Sequence, residues 1–212
     1  MTSTTQPAAP TAARFWDRVA ERYAAKPVAD QAAYEATLAR TAQYLPPTDR
    51  VLEIGAGTAS TALVLAPRVA AYTASDISGA MVAIGQRKAA AAGIRNLEVV
   101  QGELRDADGS YDAILAFNLL HLCSDPAAEI AEAASRLPAG GYFISKTGCL
   151  SGRFALLRPV IAVMRLLGKA PRVRFFSAPR LEAMIRDAGF EIVETGRFPA
   201  GSPAYFIVAR KR

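Results

Sequence analysis

The sequence predicts an α/β fold: a seven-stranded, mostly parallel sheet with an N-terminal helical lid and a C-terminal antiparallel β-hairpin. Three observations lead to this prediction. Short apolar runs alternate with helical segments between residues 50 and 146, which is typical of a parallel sheet covered by helices. Two helical segments precede the first run and form the predicted lid, 14–45. The linker at 198–203 is too short for a crossover between the last two runs.

The strands are expected at apolar runs, and the helices where apolar residues recur at helical spacing. Proline and glycine mark boundaries, as at Pro46, Pro47 and Gly93. The predicted strands are 50–54, 70–75, 97–101, 111–117, 142–146, 190–197 and 204–210. The predicted helices are 14–25, 30–44, 58–68, 78–92, 126–136 and 179–188.

The bulk composition is that of one globular domain, with 212 residues and 51% hydrophobic content. Residues 1–13 are rich in Thr, Ala and Pro and are expected to form a disordered tail before a single domain at 14–212. No signal peptide and no run of ~18–20 apolar residues is seen, so a cytoplasmic location is expected. Cys123 and Cys149 form no metal-ligand or disulfide pattern, so no metal is expected.

The strand at 50–54 runs directly into the glycine turn Gly55–Gly57. Glycine adopts unusual backbone angles and has no side chain, so a ligand can approach the backbone. Asp76 ends the second strand, where a carboxylate can accept hydrogen bonds from two ribose hydroxyls. Glu103 follows the third strand on the same edge, within reach of an adenine amino group. Glu53, just before the glycines, favours a cationic ligand over a pyrophosphate.

Six ordered segments resemble the successive motifs of class I S-adenosylmethionine-dependent methyltransferases. They are VLEIGAGTA, YTASDIS, VVQGEL, YDAILAFNLLHL, LPAGGYFIS and AGFEIVE. The sequence resembles most the small type 11 group, which is similar to the ubiquinone and menaquinone biosynthesis methyltransferases. The resemblance spans about residues 15–211. It implies a Rossmann-like fold, S-adenosylmethionine as cofactor, S-adenosylhomocysteine as its product, and no metal.

The resemblance also implies a role for residues at the ends of the first four strands. Gly55–Gly57 would line the methionine part and the ribose, and Asp76 would hold the ribose hydroxyls. Ile77 would pack on the adenine. Glu103 and Leu104 would meet the adenine edge, where the family more often has aspartate. The implied cofactor-binding residues are Tyr23, Glu53, Gly55, Ala56, Gly57, Asp76, Ile77, Met81, Gly102, Glu103, Leu104 and Asn118.

The resemblance also bears on the aromatic residues of the first helix and on the segment after the fourth strand. Tyr23 and Trp16 match aromatic positions of the family's first helix, and either close over the cofactor or pack within the lid. Asn118 would lie near the sulfonium. His121 is the only histidine and is the candidate catalytic base, since an imidazole can accept a proton from an acceptor hydroxyl or thiol near neutral pH. The alternative for His121 is a polar wall residue or a helix cap.

The expected activity is methyl transfer to a small, hydrophobic acceptor such as a phenol, a quinone precursor or a secondary metabolite. Two alternatives stay open: methylation of a phospholipid or another lipid at a membrane surface, and cofactor binding without catalysis. RNA methylation is disfavoured, because Asn118-Leu119-Leu120-His121 replaces an Asn-Pro-Pro-Tyr-type motif. No Lys/Arg cluster interleaved with aromatics is present, so no nucleic-acid partner is expected despite a net charge of +6.

Residues 152–179 form a predicted insertion on the substrate side. The insertion is apolar and basic, with most of the positive excess between Arg153 and Arg180. Three interpretations of it stay open. It is a lid that buries a hydrophobic acceptor and steers an anionic one, a basic amphipathic helix (152–174) in peripheral contact with a membrane, or a core-packed helix with a solvated basic face.

Overall fold

The computed structural model describes residues 10–212, except for the side chains at positions 10, 11 and 153–155. Its strands are β1 (Arg50–Ile54), β2 (Ala71–Asp76), β3 (Leu97–Gln101), β4 (Ala113–Phe117), β5 (Tyr142–Gly148), β6 (Phe190–Gly196) and β7 (Ala204–Lys211). Its α-helices are α1 (Pro10–Ala25), α2 (Gln31–Ala42), α3 (Ser60–Leu65), α4 (Gly79–Ala92), α5 (Pro126–Arg136), α6 (Arg158–Leu166) and α7 (Ala178–Asp187). The predicted fold class is confirmed.

The seven strands form one sheet in the order β3-β2-β1-β4-β5-β7-β6. The first five strands are parallel, and β7 pairs antiparallel with both β5 and β6. The strand order reverses between β1 and β4, and open parallel sheets bind ligands in the crevice at such a reversal. The carboxyl ends of β1–β5, here called the carboxyl edge, therefore hold the candidate site.

Helices cover both faces of the sheet. On one face, α5 and α7 bury apolar side chains that include Ile130, Leu181 and Phe143 of β5. On the other face, α2, α3 and α4 pack over β1 and β2, where Leu65 and Tyr72 are 1% exposed. Side chains alternate between the two faces along each strand, so both cores are drawn from the same strands.

The two N-terminal helices differ slightly from their prediction. Helix α1 begins at Pro10, so positions 10–13 of the predicted tail are helical, while positions 1–9 lie outside the described residues. Helix α2 begins one residue after Asp30, whose carboxylate accepts a hydrogen bond from the Ala33 amide at 2.9 Å. This side chain satisfies an amide that the first helical turn leaves without a partner, so Asp30 is the predicted N-cap.

Other boundaries moved for local reasons. Helix α3 starts at Ser60 rather than at 58, because Ala59 adopts a left-handed conformation (φ 57°) at its N-cap. A 3₁₀ turn at Ala66–Arg68, which contains Pro67, completes the predicted helix 58–68. Strand β5 extends to Gly148 because its added residues pair with the start of β7.

The insertion after β5 contains a 3₁₀ turn, Gly152–Leu157, followed by α6. The interpretation of this segment as a core-packed helix is wrong, since α6 contains no buried residue. No helix in the part of the chain that the structure describes is both long and apolar enough to cross a membrane.

Candidate active site

The glycine turn and the end of β2 are joined through one carboxylate. Asp76 accepts a hydrogen bond from the Gly57 amide at 2.8 Å and another from the Ser78 amide at 2.9 Å. Burial raises the pKa of Asp76, whereas these two amide hydrogen bonds lower it. The two bonds fix an acceptor-rich group at the carboxyl edge, where the sequence predicts it.

Gly55 is required by its backbone angle and by its neighbour. Its φ is +64°, and a Cβ placed on it would lie 2.7 Å from Cδ1 of Leu119. At Gly57 (φ +56°) the nearest atom to such a Cβ is 4.0 Å away, on the ring of Tyr23. The turn is therefore bounded by the segment after β4 on one side and by α1 on the other. Sequence reasoning missed Leu119, because only the folded chain brings it against the turn.

Glu53 is a buried acid beneath this turn, with 2% exposure. Its Oε2 accepts a hydrogen bond from the Tyr72 hydroxyl at 2.8 Å. Burial raises the pKa of Glu53 to about 8, against the opposing effect of that hydrogen bond. Near neutral pH the carboxyl group is therefore mostly protonated, and a nearby cation would favour its ionised form.

Two tyrosines from the helical lid, α1 and α2, approach these acids. Desolvation raises the pKa of Tyr23, and the carboxylates of Asp76 and Glu53 raise it further. Burial also raises the pKa of Tyr34, a hydrogen-bonding interaction with Thr61 lowers it, and Glu53 adds a smaller upward contribution. The Tyr34 hydroxyl is buried, with Thr61 beside it. Sequence reasoning missed Tyr34, since no spacing rule connects α2 with the carboxyl edge.

Helix α1 is anchored to the start of α4. Asp17 accepts hydrogen bonds from the Ser78 hydroxyl at 2.6 Å and from the Ala80 amide at 3.1 Å. The rings of Trp16 and Tyr23 meet edge to face, with centroids 6.2 Å apart. Met81 is 2% exposed and belongs to the small core between α1 and α4, which Trp16 also contacts. These contacts hold the lid over the end of β2.

The ends of β2 and β3 form the side predicted to hold adenine. The Gly102 amide donates to the Asp76 carbonyl at 3.0 Å, and the Gln101 side chain donates to the Ile77 carbonyl at 3.1 Å. Glu103 forms an ion pair with Arg105 at 2.5 Å, so this carboxylate is already engaged. Leu104 is 2% exposed and joins the core below the site.

Asn118 and His121 follow β4. Asn118 is exposed and adopts a left-handed conformation (φ 55°), and its amide donates to the Lys146 carbonyl at 2.7 Å. The His121 ring lies 3.7 Å from the position that a Cβ on Gly148 would occupy. Its Nδ1 is buried without a hydrogen-bond partner among the described residues, and burial lowers its pKa. The imidazole is therefore neutral near pH 7.

Two further polar side chains, Ser145 and Thr147, project from the same face of β5. Both are 0% exposed, and no partner for either hydroxyl is found in the described chain. Thr147 directly precedes Gly148, beside which the His121 ring lies. Sequence reasoning missed this pair; the available signal was that Ser145 and Thr147, two residues apart, lie on the same face of the strand as the buried Phe143.

A family model described as a methyltransferase domain matches residues 25–195. The chain belongs to the methyltransferases. It is an S-adenosylmethionine-dependent enzyme, as the resemblance implied. The match covers the whole carboxyl edge described above, from Glu53 to Thr147.

A known relative agrees with this assignment. The methyltransferase chain is 28% identical over 161 residues to a ubiquinone biosynthesis O-methyltransferase of Xanthomonas axonopodis pv. citri (strain 306). The match spans 72% of this chain and 66% of that relative, which is just under two thirds.

Solved structures share the fold. Magnesium protoporphyrin IX methyltransferase from Synechocystis PCC 6803, with bound S-adenosylhomocysteine, superposes with a TM-score of 0.75 at 18% identity, covering 94% of this chain and 98% of that one. The cyclase SpnF superposes with a TM-score of 0.77 at 19% identity, covering 97% of each chain. At these identities the likeness shows the fold alone, and a cyclase shares it, so the acceptor has to be argued from the site.

Proposed function

We propose that this methyltransferase transfers a methyl group to a small, hydrophobic acceptor that reacts through a hydroxyl group, with His121 as the base. The observation that carries the proposal is the buried, unpartnered Nδ1 of a neutral imidazole at the carboxyl edge. A hydroxyl of a phenol or a quinone precursor is protonated at neutral pH, so it needs such an acceptor for its proton. The O-methyltransferase relative supports the same acceptor class.

The carboxyl edge fits S-adenosylmethionine. Asp76 is held by two amides and would accept from the ribose hydroxyls. Glu53 would stabilise the positive charge of the ligand. When bound, the cofactor supplies a methyl group on a positively charged sulfur and leaves as S-adenosylhomocysteine.

The other implied residues would surround the cofactor. Gly55, Ala56 and Gly57 would admit the methionine part and the ribose, because the glycines leave the backbone open. Ile77, Gly102, Glu103 and Leu104 would contact adenine, with Glu103 shared between the ligand and Arg105. Met81 would support the site from the small core that it forms with α1. Asn118 would lie near the methionine end, and Tyr23 would close over the turn.

The chain would contribute alignment, exclusion of water and one proton transfer. Trp16 and Tyr23 lie together on α1, and Tyr23, which is 53% exposed, would close over the bound cofactor and keep water away from the reacting groups. His121 would take the proton of the acceptor hydroxyl as the oxygen forms its bond to the methyl carbon. Ser145 and Thr147 would give polar groups of the acceptor a hydrogen-bonding surface, which their unpartnered hydroxyls otherwise lack.

The test is a methyl-transfer assay with radiolabelled cofactor and a panel of phenols, thiols and amines, comparing wild type with His121→Gln. Loss of a general base is expected to lower kcat/KM for phenols by about 10²–10⁴-fold, while calorimetry gives an unchanged cofactor Kd. For wild type at saturating cofactor, kcat/KM should fall only at a pH below the ordinary pKa of an imidazole, because burial lowers the pKa of His121. Equal rates for the two proteins would leave His121 a wall residue.

A lipid acceptor is the second candidate, and the exposed apolar surface of α6 is the observation that favours it. The same assay distinguishes the two, because labelled lipid partitions into an organic extract together with added vesicles. Incorporation into phospholipid but into no small phenol would replace the first acceptor class with the second. No observation favours the alternative of cofactor binding without catalysis.

A further inference from the structure

The segment at residues 152–174, here called the basic segment, turns its apolar side chains toward solvent. Of the eleven large hydrophobic residues that are exposed in the described chain, seven lie between 156 and 167. Leu156, Leu166 and Leu167 are 81%, 87% and 63% exposed. Scattered exposed apolar residues are ordinary, but seven of them within twelve residues, on α6 and the turns that flank it, indicate a binding surface.

Helix α6 departs from an ordinary surface helix, which buries its apolar stripe, because every residue of α6 is exposed except Ile161, which is half-buried. Its Arg158 guanidinium lies over the ring of Phe175, with 5.1 Å between Cζ and the ring centroid. Just past the helix, the Gly168 carbonyl accepts a hydrogen bond from Arg18 of α1 at 2.7 Å. The helix is therefore attached to the domain through a cationic side chain and its C-terminal end, while Val160 and Val163 are each 55% exposed.

The basic segment also carries the entire charge excess of the chain. The chain has 25 lysine and arginine residues and 19 acidic ones. Six basic residues and no acidic residue lie between 152 and 174, so the rest of the chain is balanced. An apolar surface and a local charge of +6 thus coincide in one segment of 23 residues.

We infer that the basic segment docks on a membrane surface that contains anionic lipids. A short helix with exposed apolar residues and flanking cations lies in the headgroup region, where both features are satisfied at once. A second copy of the chain bound about a two-fold axis would set these cations against one another, with no acid in the segment to pair with them. Charge complementarity therefore favours the anionic bilayer as the occupant.

Docking would bring the lid close to the bilayer, because α1 is hydrogen-bonded to the end of the basic segment through Arg18. A hydrophobic acceptor dissolved in the membrane could then reach the site without crossing water. This consequence rests on the proposed function, whereas the docking itself does not. Vesicle binding needs neither cofactor nor acceptor, so its failure and a failure of methyl transfer are separate results.

The experiment is flotation of the full chain with phosphatidylcholine vesicles, with and without phosphatidylglycerol. Wild type is expected to float with the anionic vesicles only, and added salt should reduce its binding. Leu156→Gln/Leu166→Gln should lower the partition coefficient by about 10-fold or more, because the variant lacks the inserted apolar side chains. Arg165→Gln/Lys169→Gln should lower it by about 10-fold.

Matched controls are available, because exposed residues of the same types occur elsewhere on the chain. Val64→Gln/Val193→Gln removes two exposed apolar side chains that are 44% and 45% exposed. Arg68→Gln/Arg95→Gln removes two exposed cations outside the basic segment. Both controls should bind vesicles within about twofold of wild type, since neither surface would meet the headgroups. Thermal melts of all variants should coincide, because every substituted residue is exposed.

Flotation that is lost in the basic-segment variants and kept in the controls supports docking. Failure of wild type to float with anionic vesicles overturns the proposal, as does equal flotation of Leu156→Gln/Leu166→Gln. Sedimentation in the absence of lipid gives the third outcome. If wild type does not float but sediments as a dimer, and Leu156→Gln/Leu166→Gln sediments as a monomer, the surface binds a second copy of the chain instead.

Discussion

The two halves of the carboxyl edge differ in how their polar groups are satisfied. On the β1–β2 side, Asp76 is held by two backbone amides and Glu53 by the Tyr72 hydroxyl. On the β4–β5 side, His121 Nδ1 and the hydroxyls of Ser145 and Thr147 are buried with no partner in the described residues. The first half is a rigid cradle for one ligand, and the second offers polar groups to a ligand that must supply their partners.

This contrast accounts for what the sequence could predict. The glycine turn and Asp76 were predictable because neighbours in sequence and the pairing of β1 with β2 bring them together. Leu119 and Tyr34 were not, because tertiary packing alone places a leucine 2.7 Å from a Gly55 Cβ position and a tyrosine beside Glu53. Likewise, the sequence showed that 158–166 is apolar and basic, but not that α6 leaves its apolar residues exposed together with its basic ones.

Asp76→Asn should have the largest effect on the cofactor half. An amide has one acceptor oxygen, so it cannot accept from both Gly57 and Ser78 and still meet a ribose. Charge-assisted hydrogen bonds contribute about 1.5–3 kcal/mol each, so the cofactor Kd should rise by about 100-fold or more. Glu98→Gln, an exposed acid on β3, is the control for lost charge. An unchanged Kd in calorimetry would refute the ribose role.

Gly55→Ala tests the contact between the two halves. A residue with φ +64° costs about 1–2 kcal/mol when it carries a Cβ, and displacing Leu119 should add about 1 kcal/mol. Gly93→Ala is matched in angle (φ +66°) but meets nothing within 4 Å. Urea unfolding should therefore show a larger loss for Gly55→Ala. Equal losses of unfolding free energy in the two variants would mean that the Leu119 side chain can move aside at no cost.

The affinity for the cofactor should depend on pH through Glu53. Its pKa is about 8 without ligand, and a bound cation favours the ionised carboxylate, so binding releases a proton below pH 8. Affinity should therefore rise with pH, by up to about tenfold per unit, and level off above pH 8. Glu53→Gln should abolish this dependence. Calorimetry in buffers of different ionisation enthalpy measures the number of protons released on cofactor binding. If no proton is released, Glu53 does not ionise when the cofactor binds.

Thr147→Val should have the smallest effect on activity, and it should raise the stability of the fold, whereas Gly55→Ala lowers it. Replacing a buried hydroxyl that has no partner should stabilise the fold by about 1 kcal/mol. If the hydroxyl meets the acceptor, KM should rise by about fivefold. Thr41→Val is the matched control: Thr41 is also 0% exposed, but its hydroxyl donates to the Thr37 carbonyl at 2.8 Å. That variant should be destabilised with an unchanged KM; the same outcome for Thr147→Val would remove Thr147 from the acceptor site.

The division of the carboxyl edge is tested most directly by measuring two quantities on two variants, Asp76→Asn and His121→Gln. Calorimetry gives the cofactor Kd, and the radiolabel assay gives kcat/KM for a phenol at saturating cofactor. Asp76→Asn should raise Kd and recover much of its turnover once saturated, whereas His121→Gln should leave Kd unchanged and lose turnover. If His121→Gln weakens cofactor binding as much as Asp76→Asn does, the two halves are a single site and the account is contradicted.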